Sequence, residues 1–404
     1  MAAYSTLVFN AGSSSLKFAI FEAQDAEPHR TIIKGSVSDI GGMASLNWSD
    51  GTTNAHIAIK TINHESAAEL VLDWLNEWPL GSLLDGVGVV AHRVVHGGKF
   101  FYAPTIVTEK IMLQLEALTP LAPLHNPLAL SVMLVCQKKL SAKILTVAVF
   151  DTAFYHDLPQ HTGYALPESL LKQYDIRRYG FHGLAHHDMI QQYCKLHPEH
   201  AVNHRIISFQ LGHGCSVTAT LNGKPVDTSM GFTPLEGLMM ATRAGDIDPG
   251  ILIYLLQNGH PLDELEQILN HHSGLLGVAK ISADMRELLS RQDSDTDAKL
   301  AIEMFCHRAR KYLGAYLAVL HGADVVLFGG GIGEHSAEIR QRICTNMQWC
   351  GLQLDETKNQ SAIGGAQTLI SSDDSKIHVY VMPVNEESLI AEDAIKSTLI
   401  DSAS

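Results

Sequence analysis

Two stretches of this chain, 200 positions apart, carry the same pattern. Thr6 to Phe9 reads as an apolar strand, Asn10 to Ser15 as a small-residue turn, and Leu16 to Phe21 as a second strand. An apolar strand recurs at Arg205 to Phe209, followed by Gln210-Leu211-Gly212-His213-Gly214, an alternating strand Cys215 to Leu221, and Asn222-Gly223, a hairpin-turn pair. At constant offset Phe9 matches Phe209, Asn10 matches Gln210, Gly12 matches Gly212 and Ala19 matches Ala219. The repeat predicts an internal duplication of one α/β unit, and 404 residues leave room for two or three domains.

Helical patterns punctuate the remainder. Ser66 to Trp74 has apolar residues at helical spacing, Thr108 can cap a helix over Glu109 to Leu118, and Asp248-Pro249 is an N-cap followed by proline at the first helical position of Gly250 to Gln257. A long amphipathic pattern over Asp297 to Leu320 leads into the strand Asp324 to Phe328, the glycine run Gly329 to Gly333, and a helix from Ser336. Strands alternating with helices imply mixed or parallel sheets with helices on their faces. The apolar strand Ile144 to Phe150 ends where the boundary between the halves is expected, at Val149 to Thr152. The helical segment after Met382 is expected to pack back on the first half.

Composition narrows the function. With 46% hydrophobic and 18% charged residues the chain is an ordinary globular one. A net charge of −14 with no basic run disfavours nucleic acid as partner. An anionic small substrate stays open, provided arginines gather locally in a cleft. Cys136, Cys194, Cys215, Cys306, Cys344 and Cys350 lack CxxC spacing and read as reduced thiols. The amino terminus has no basic n-region, and no apolar stretch reaches about 18 residues, so neither secretion nor a membrane partner is expected and the cytoplasm is.

Several motifs suggest chemistry. In Asn10 to Lys17, a turn of small residues after a strand lets backbone N–H groups and hydroxyls approach phosphate oxygens, although an ordinary tight hairpin reads the same way. The register of the second strand decides whether Lys17 points into such a site. His92 to Gly98 puts Arg93 after an apolar strand Gly86 to Ala91, at the carboxyl end where α/β proteins build sites. Arg243 stands in a Gly- and apolar-rich segment. Two such arginines suit bidentate recognition of carboxylate or phosphate, with a structural salt bridge as the alternative for either. Asp151 ends an apolar strand, as a metal-organising or catalytic aspartate does, or as a helix cap does. His182 and His186 have the spacing of zinc ligands on a helix, but the glutamate of HExxH is missing and Gly183 weakens the helix there. His182 therefore reads as a donor to an anionic transition state, and His186 and His187 as structural. His271 and His272 read as a solvated helix end. Glu386 follows the strand His378 to Pro383, where a carboxylate can stand beside a divalent ion or favour the first turn of a helix. Together these residues are equipment for phosphoryl transfer.

At this point the chain resembles the acetate and propionate kinase (acetokinase) family over essentially its whole length. The runs that carry the resemblance are Asn10 to Lys17, His92 to Gly98, Pro120 to Pro127, Val149 to Phe154, Arg177 to Gly183, Asp227 to Gly250, Gly330 to Glu334 and Asn385 to Glu387. The resemblance implies an α/β fold of two duplicated ribonuclease-H-like domains of the sugar kinase, Hsp70 and actin superfold, one over 1–150 with the helix 385–404 packed on it, the other over 151–384. It implies reversible, Mg²⁺-dependent transfer from ATP to acetate by direct in-line attack, giving ADP and acetyl phosphate, in a homodimer. Propionate or butyrate kinase is the rival within the class, and a non-catalytic actin-like nucleotide-binding protein the rival outside it. By motif, Arg93 and Arg243 would hold the carboxylate and the phosphoryl group, His182 would donate to the phosphoryl oxygens, and Asp151 would align the reacting groups. Asn10 and Glu386 would serve the magnesium. Val95, Leu124, Phe181 and Pro234 would form the pocket for the substrate methyl. Nucleotide contacts would come from Asn10, Ser14, Lys17, Gly212, His213, Gly214, Asp284, Met285, Arg286, Gly331, Ile332, Gly333 and Glu334. The chain departs from the family pattern at Gln210, His213, Ala185, Ala241, Gly329 and His335.

Overall fold

The computed structural model describes residues 4–24, 27–61, 63–79, 81–198 and 204–401. The chain divides into two compact units, Met1–His156 with Asn385–Ser404, and Asp157–Val384.

The first unit contains β1 (Ser5–Ala11), β2 (Leu16–Gln24), β3 (Glu27–Ser38), β4 (Ser45–Ser49), β5 (Asn54–Ala58), β6 (Val87–Val94), β7 (Thr105–Ile106) and β8 (Leu145–Phe150), in an eight-stranded sheet of order β5-β4-β3-β2-β1-β6-β8-β7. Antiparallel hairpins build the β1 to β5 side, whereas β1, β6 and β8 run parallel. Parallel neighbours need crossovers, and the helices His64–Asn76 and Asn126–Lys139 lie in those connections. The first is held at its start by Asn63, whose side chain accepts from the Ser66 N–H while Ser66 answers in a capping box. Both helices bury an apolar face, Ala67, Val71, Leu72 and Leu75 from one and Val132 and Val135 from the other, against Leu7, Phe9, Phe18 and Ile20 of the sheet. The carboxyl-terminal helix Glu386–Asp401 packs on β1, β3 and β6.

The second unit contains β9 (Arg205–Leu211), β10 (Cys215–Leu221), β11 (Lys224–Thr228), β12 (Val325–Gly329), β13 (Thr368–Leu369) and β14 (His378–Val381), ordered β11-β10-β9-β12-β14-β13. Again the first strand pairs antiparallel with a hairpin on one side and parallel with a later strand on the other. The order β3-β2-β1-β6-β8 in one unit thus repeats as β11-β10-β9-β12-β14 in the other, and β1 and β9 start and end 200 positions apart. This is the duplicated ribonuclease-H-like α/β arrangement. Ile206, Ile207, Phe209 and Val325 to Phe328 are fully buried, as central parallel strands covered on both faces require. The helix Thr296–Val319 buries Ala301, Ile302, Phe305 and Leu313. Among the described residues no helix is long and apolar enough to cross a membrane.

The elements differ from the expected ones in two places near the motifs. The strand expected to end at Ala91 continues through Val94, because both neighbours go on pairing with it, Phe9 opposite His92 and Val149 opposite Arg93. The glycine run after β12 is not a loop: Gly329 ends the strand, Gly330–His335 is a short helix, and Ser336 caps a second helix, Ala337–Cys344. Gly330 makes this turn possible, since its φ is +76° and a Cβ would stand 2.7 Å from the Leu211 carbonyl oxygen.

Candidate active site

In the first unit the carboxyl ends of three parallel strands carry the predicted polar residues. Asn10 is in β1, Arg93 is near the end of β6, and Asp151 directly follows β8 in a short 3₁₀ turn. Strand pairing sets them side by side. Arg93 donates from Nε and Nη2 to Asp151 Oδ2 at 3.2 and 2.5 Å, and from Nη1 to Asn10 Oδ1 at 3.1 Å. The other side of the Asn10 amide donates to Glu386 Oε2 at 2.8 Å and Glu387 Oε1 at 2.9 Å, at the first turn of the last helix. Burial disfavours the Arg93 charge, but Asp151, Glu386 and Glu387 outweigh it and hold its pKa above the ordinary arginine value. Three bonds leave two of the roughly five guanidinium N–H donors for a ligand. Lys17 is mostly exposed, 3.9 Å from Glu387, and Ser14 is exposed in the turn.

The three motifs behind this cluster are stitched together by Asn126 and Thr152. Asn126 accepts from the His96 N–H at 3.1 Å and donates to the His96 carbonyl at 3.0 Å, while Thr152 Oγ1 accepts from the Gly97 N–H at 3.0 Å. Val95, buried, and Leu124, exposed, sit on the two segments that Asn126 joins. Asn126, Thr152 and Glu387 were not among the candidates, although each lies inside a motif that drew attention.

In the second unit His182 and Arg243 face one small space. A Cβ on residue 214 would stand 3.2 Å from His182 Cε1 and Nε2 and 3.9 Å from Arg243 Nη1, so only glycine leaves that space open. His182 is the N-cap of the helix Gly183–Leu196, with φ +57°, a left-handed conformation that a side chain other than glycine adopts at some cost. Arg243 Nη1 reaches only the Pro234 carbonyl, at 3.5 Å, and no carboxylate among the described residues pairs with it. Burial pulls its pKa below the ordinary arginine value, opposed by the neighbouring Cys215. The segment carrying it is fixed by Asp246, which accepts from the Gly237 N–H at 2.8 Å and from Tyr312 Oη at 2.9 Å. Arg178 and Tyr164 clamp Glu236 at 2.8 and 2.5 Å beside Pro234. Phe181 is buried next to His182.

A cavity of about 880 Å³ opens in this unit, lined by Gly212, His213, Asp284, Met285, Arg286, Gly331 and Ile332 of the expected set. Ala241, Ser282, Ala283, Leu289, His335 and Ser336 complete it. Asp284 caps the helix Met285–Arg291 and pairs with Arg286 at 2.6 Å, which lowers its carboxyl to about 2 through that hydrogen bond. His213 is held below the ordinary histidine range by burial and then by Arg243. Gly214 and Gly333 do not line the cavity. Glu334 turns away from it, with Oε1 accepting from the N–H groups of Gly330 and Val384 at 3.0 and 3.2 Å.

The family model described as the Acetokinase family matches residues 5–392. A protein named acetate kinase from Chloroherpeton thalassium is 41% identical over 411 residues, with 97% of this chain and 99% of that protein covered. One so named from Solibacter usitatus is 42% identical, covering 97% and 98%. The crystal structure of Porphyromonas gingivalis acetate kinase superposes with a TM-score of 0.87 at 36% identity, covering 97% of this chain and 99% of that one. A propionate kinase from Francisella tularensis superposes with 0.88 at 35% identity and the same coverage.

Proposed function

Because this chain belongs to the acetokinase family, we propose that it is an acetate kinase, transferring the γ-phosphoryl group of ATP reversibly to acetate to give ADP and acetyl phosphate. The observation that carries the reading is Arg243, a half-buried guanidinium with no carboxylate partner among the described residues, facing the same gap as His182. An unpaired buried cation is costly unless an anion completes it. Acetate and the γ-phosphate repel each other, and donors that tighten on the spread charge of a metaphosphate-like transition state raise the rate most. Arg93, preset by Asp151 and Asn10, supplies a second rigid fork for an oxyanion. Acetate is ionised at neutral pH, so the attack needs no general base.

Magnesium fits the donor set: Glu386 and Glu387 meet at one Asn10 amide, and hard carboxylate oxygens beside a phosphate suit that ion. Glu386 would hold it through water, with Asn10 fixing the carboxylate. When bound, it would supply charge neutralisation on the phosphate oxygens.

The test is hydroxylamine trapping of acyl phosphate with ATP, Mg²⁺ and acetate, propionate or butyrate in parallel. Acetate is expected to have the highest kcat/KM, and omission of Mg²⁺ to silence the signal. Because one methylene in an apolar pocket discriminates by only about 10- to 200-fold, a higher value with propionate would make the protein a propionate kinase. No hydroxamate with any of the three would sink the reading.

A second copy of the chain is the expected protein partner. The helix Pro249–Gln257 carries no charge and is apolar from Ile251 to Leu256, yet buries none of its side chains, leaving Ile251, Ile253, Tyr254 and Leu256 exposed. Such a face suits a permanent interface. The double variant Ile253→Asp, Tyr254→Asp is expected to run as a monomer in light scattering where the parent runs as a dimer; a persisting dimer would put the interface elsewhere. The six free thiols accord with a reducing cytoplasm.

A further inference from the structure

Behind His182 lies a chain of hydrogen bonds that the proposed reaction does not by itself require. His182 Nδ1 is 2.9 Å from Ser216 Oγ, Ser216 Oγ is 2.8 Å from His186 Nε2, and His186 Nδ1 is 2.7 Å from Ser208 Oγ. Ser208, Ser216 and His186 are fully buried. Burial, with His182 nearby, keeps the His186 pKa well below the ordinary histidine value, so the ring between the two hydroxyls is neutral and donates at one nitrogen while accepting at the other.

Two polarities satisfy the interior of such a chain, and its buried end selects between them. Ser208 Oγ has no second partner among the described residues. If protons ran from His182 towards Ser208, the Ser208 hydroxyl proton would be stranded in the core, and a buried donor left unmade is costly. Run the other way, Ser208 donates to His186 Nδ1, His186 Nε2–H donates to Ser216, and Ser216 donates to His182 Nδ1. Every proton in the chain then has an acceptor.

We propose that Ser208, His186 and Ser216 are positioning residues that fix His182 as the tautomer protonated at Nε2, the nitrogen on the Gly214 side. That nitrogen faces the gap shared with Arg243, so the ring presents a donor rather than a lone pair towards an oxyanion there. The role as a donor in turnover rests on the acetate kinase reading; the tautomer itself does not. The left-handed backbone of His182 and the hydroxyl at Nδ1 set the ring's orientation together.

The decisive measurement is nitrogen NMR of the full-length protein labelled with ¹⁵N-histidine, at a pH where the His182 ring is neutral, with its resonances assigned by their loss in His182→Gln. An unprotonated, hydrogen-bonded Nδ1 and a protonated Nε2 are expected; a protonated Nδ1 overturns the proposal. Kinetics give a second reading. Ser216→Ala is expected to lower kcat about tenfold with KM for both substrates within about twofold, and Ser216→Thr, which keeps the hydroxyl, to restore it. Unchanged kcat in a folded Ser216→Ala protein, or a change confined to KM, overturns it as well. Inactive parent protein would instead count against the functional reading and leave the nitrogen resonances to decide the tautomer.

Discussion

Arg243→Ala is expected to lose on the order of 10³ in kcat while the protein keeps, or slightly raises, its thermal stability. The guanidinium is half-buried, and among the described residues its one side-chain bond is the long contact with the Pro234 carbonyl and no carboxylate balances it. Removing it therefore strands nothing in the core and relieves a desolvated charge. What is lost is the donor that meets negative charge as it spreads over the transferring phosphoryl group. Arg93→Ala makes the contrast, since Asp151, Glu386 and Glu387 would lose their cation, and both activity and stability are expected to fall. The measurement is acyl phosphate turnover beside a melting curve. Turnover of Arg243→Ala within tenfold of the parent, in soluble folded protein, would remove this arginine from the reaction; a large drop in melting temperature would show that its role is structural.

The second large effect is expected at Arg340, which no motif had marked. Its relative exposure is 0%, and it donates to the carbonyls of Gly333, Glu334, Asn359 and Ala362 and to the Asn359 side chain, all at 2.8 to 2.9 Å. Burial lowers its pKa to about 10, still well above neutrality, so the charge is kept among the surrounding carbonyl dipoles. Two of those carbonyls end the short helix Gly330–His335, whose Gly331 and Ile332 line the cavity. Arg340→Ala takes the donor from five acceptors around a void and is expected to cost about 3 to 5 kcal/mol in denaturant unfolding. Arg340→Lys cannot reproduce the planar fork and is expected to recover less than half of that. In whatever fraction stays folded, KM for ATP is expected to rise more than KM for acetate. An unfolding free energy within about 1 kcal/mol of the parent would refute this account of Arg340.

Much of this was legible before any coordinates. The constant offset between Phe9 and Phe209 reported the duplication because the same hairpin opens both sheets, and hairpins are written in contiguous residues. Asn10, Arg93, Asp151 and Glu386 stood out as polar residues at the ends of apolar strands, and strand pairing makes such ends neighbours. Less was legible where a role depends on what lies across a gap. Ser216, Thr218 and Thr220 alternate along β10 and are all buried, a period that announced a polar inner face and could have drawn attention to Ser216. Ser208 carried no such mark, being a serine in an apolar strand, and His186 was marked only by its spacing from His182 and read as structural, with nothing local to show which hydroxyls it would meet. Glu334, inside a glycine-rich motif, read as a nucleotide contact, yet its carboxylate is used to tie Gly330 and Val384.

Sequence alone thus determined the α/β class, the repeat, and which residue types could handle an anion, because periodicity, turn chemistry and charge in an apolar context are local properties. Only the tertiary structure decided which arginine is balanced and which is not. Arg93 and Arg243 look alike in one dimension. Whether a guanidinium is a salt bridge or an open anion site depends on carboxylates that strand pairing and the last helix bring from far along the chain, and hydrogen-bond reach is about 3 Å whatever the sequence separation.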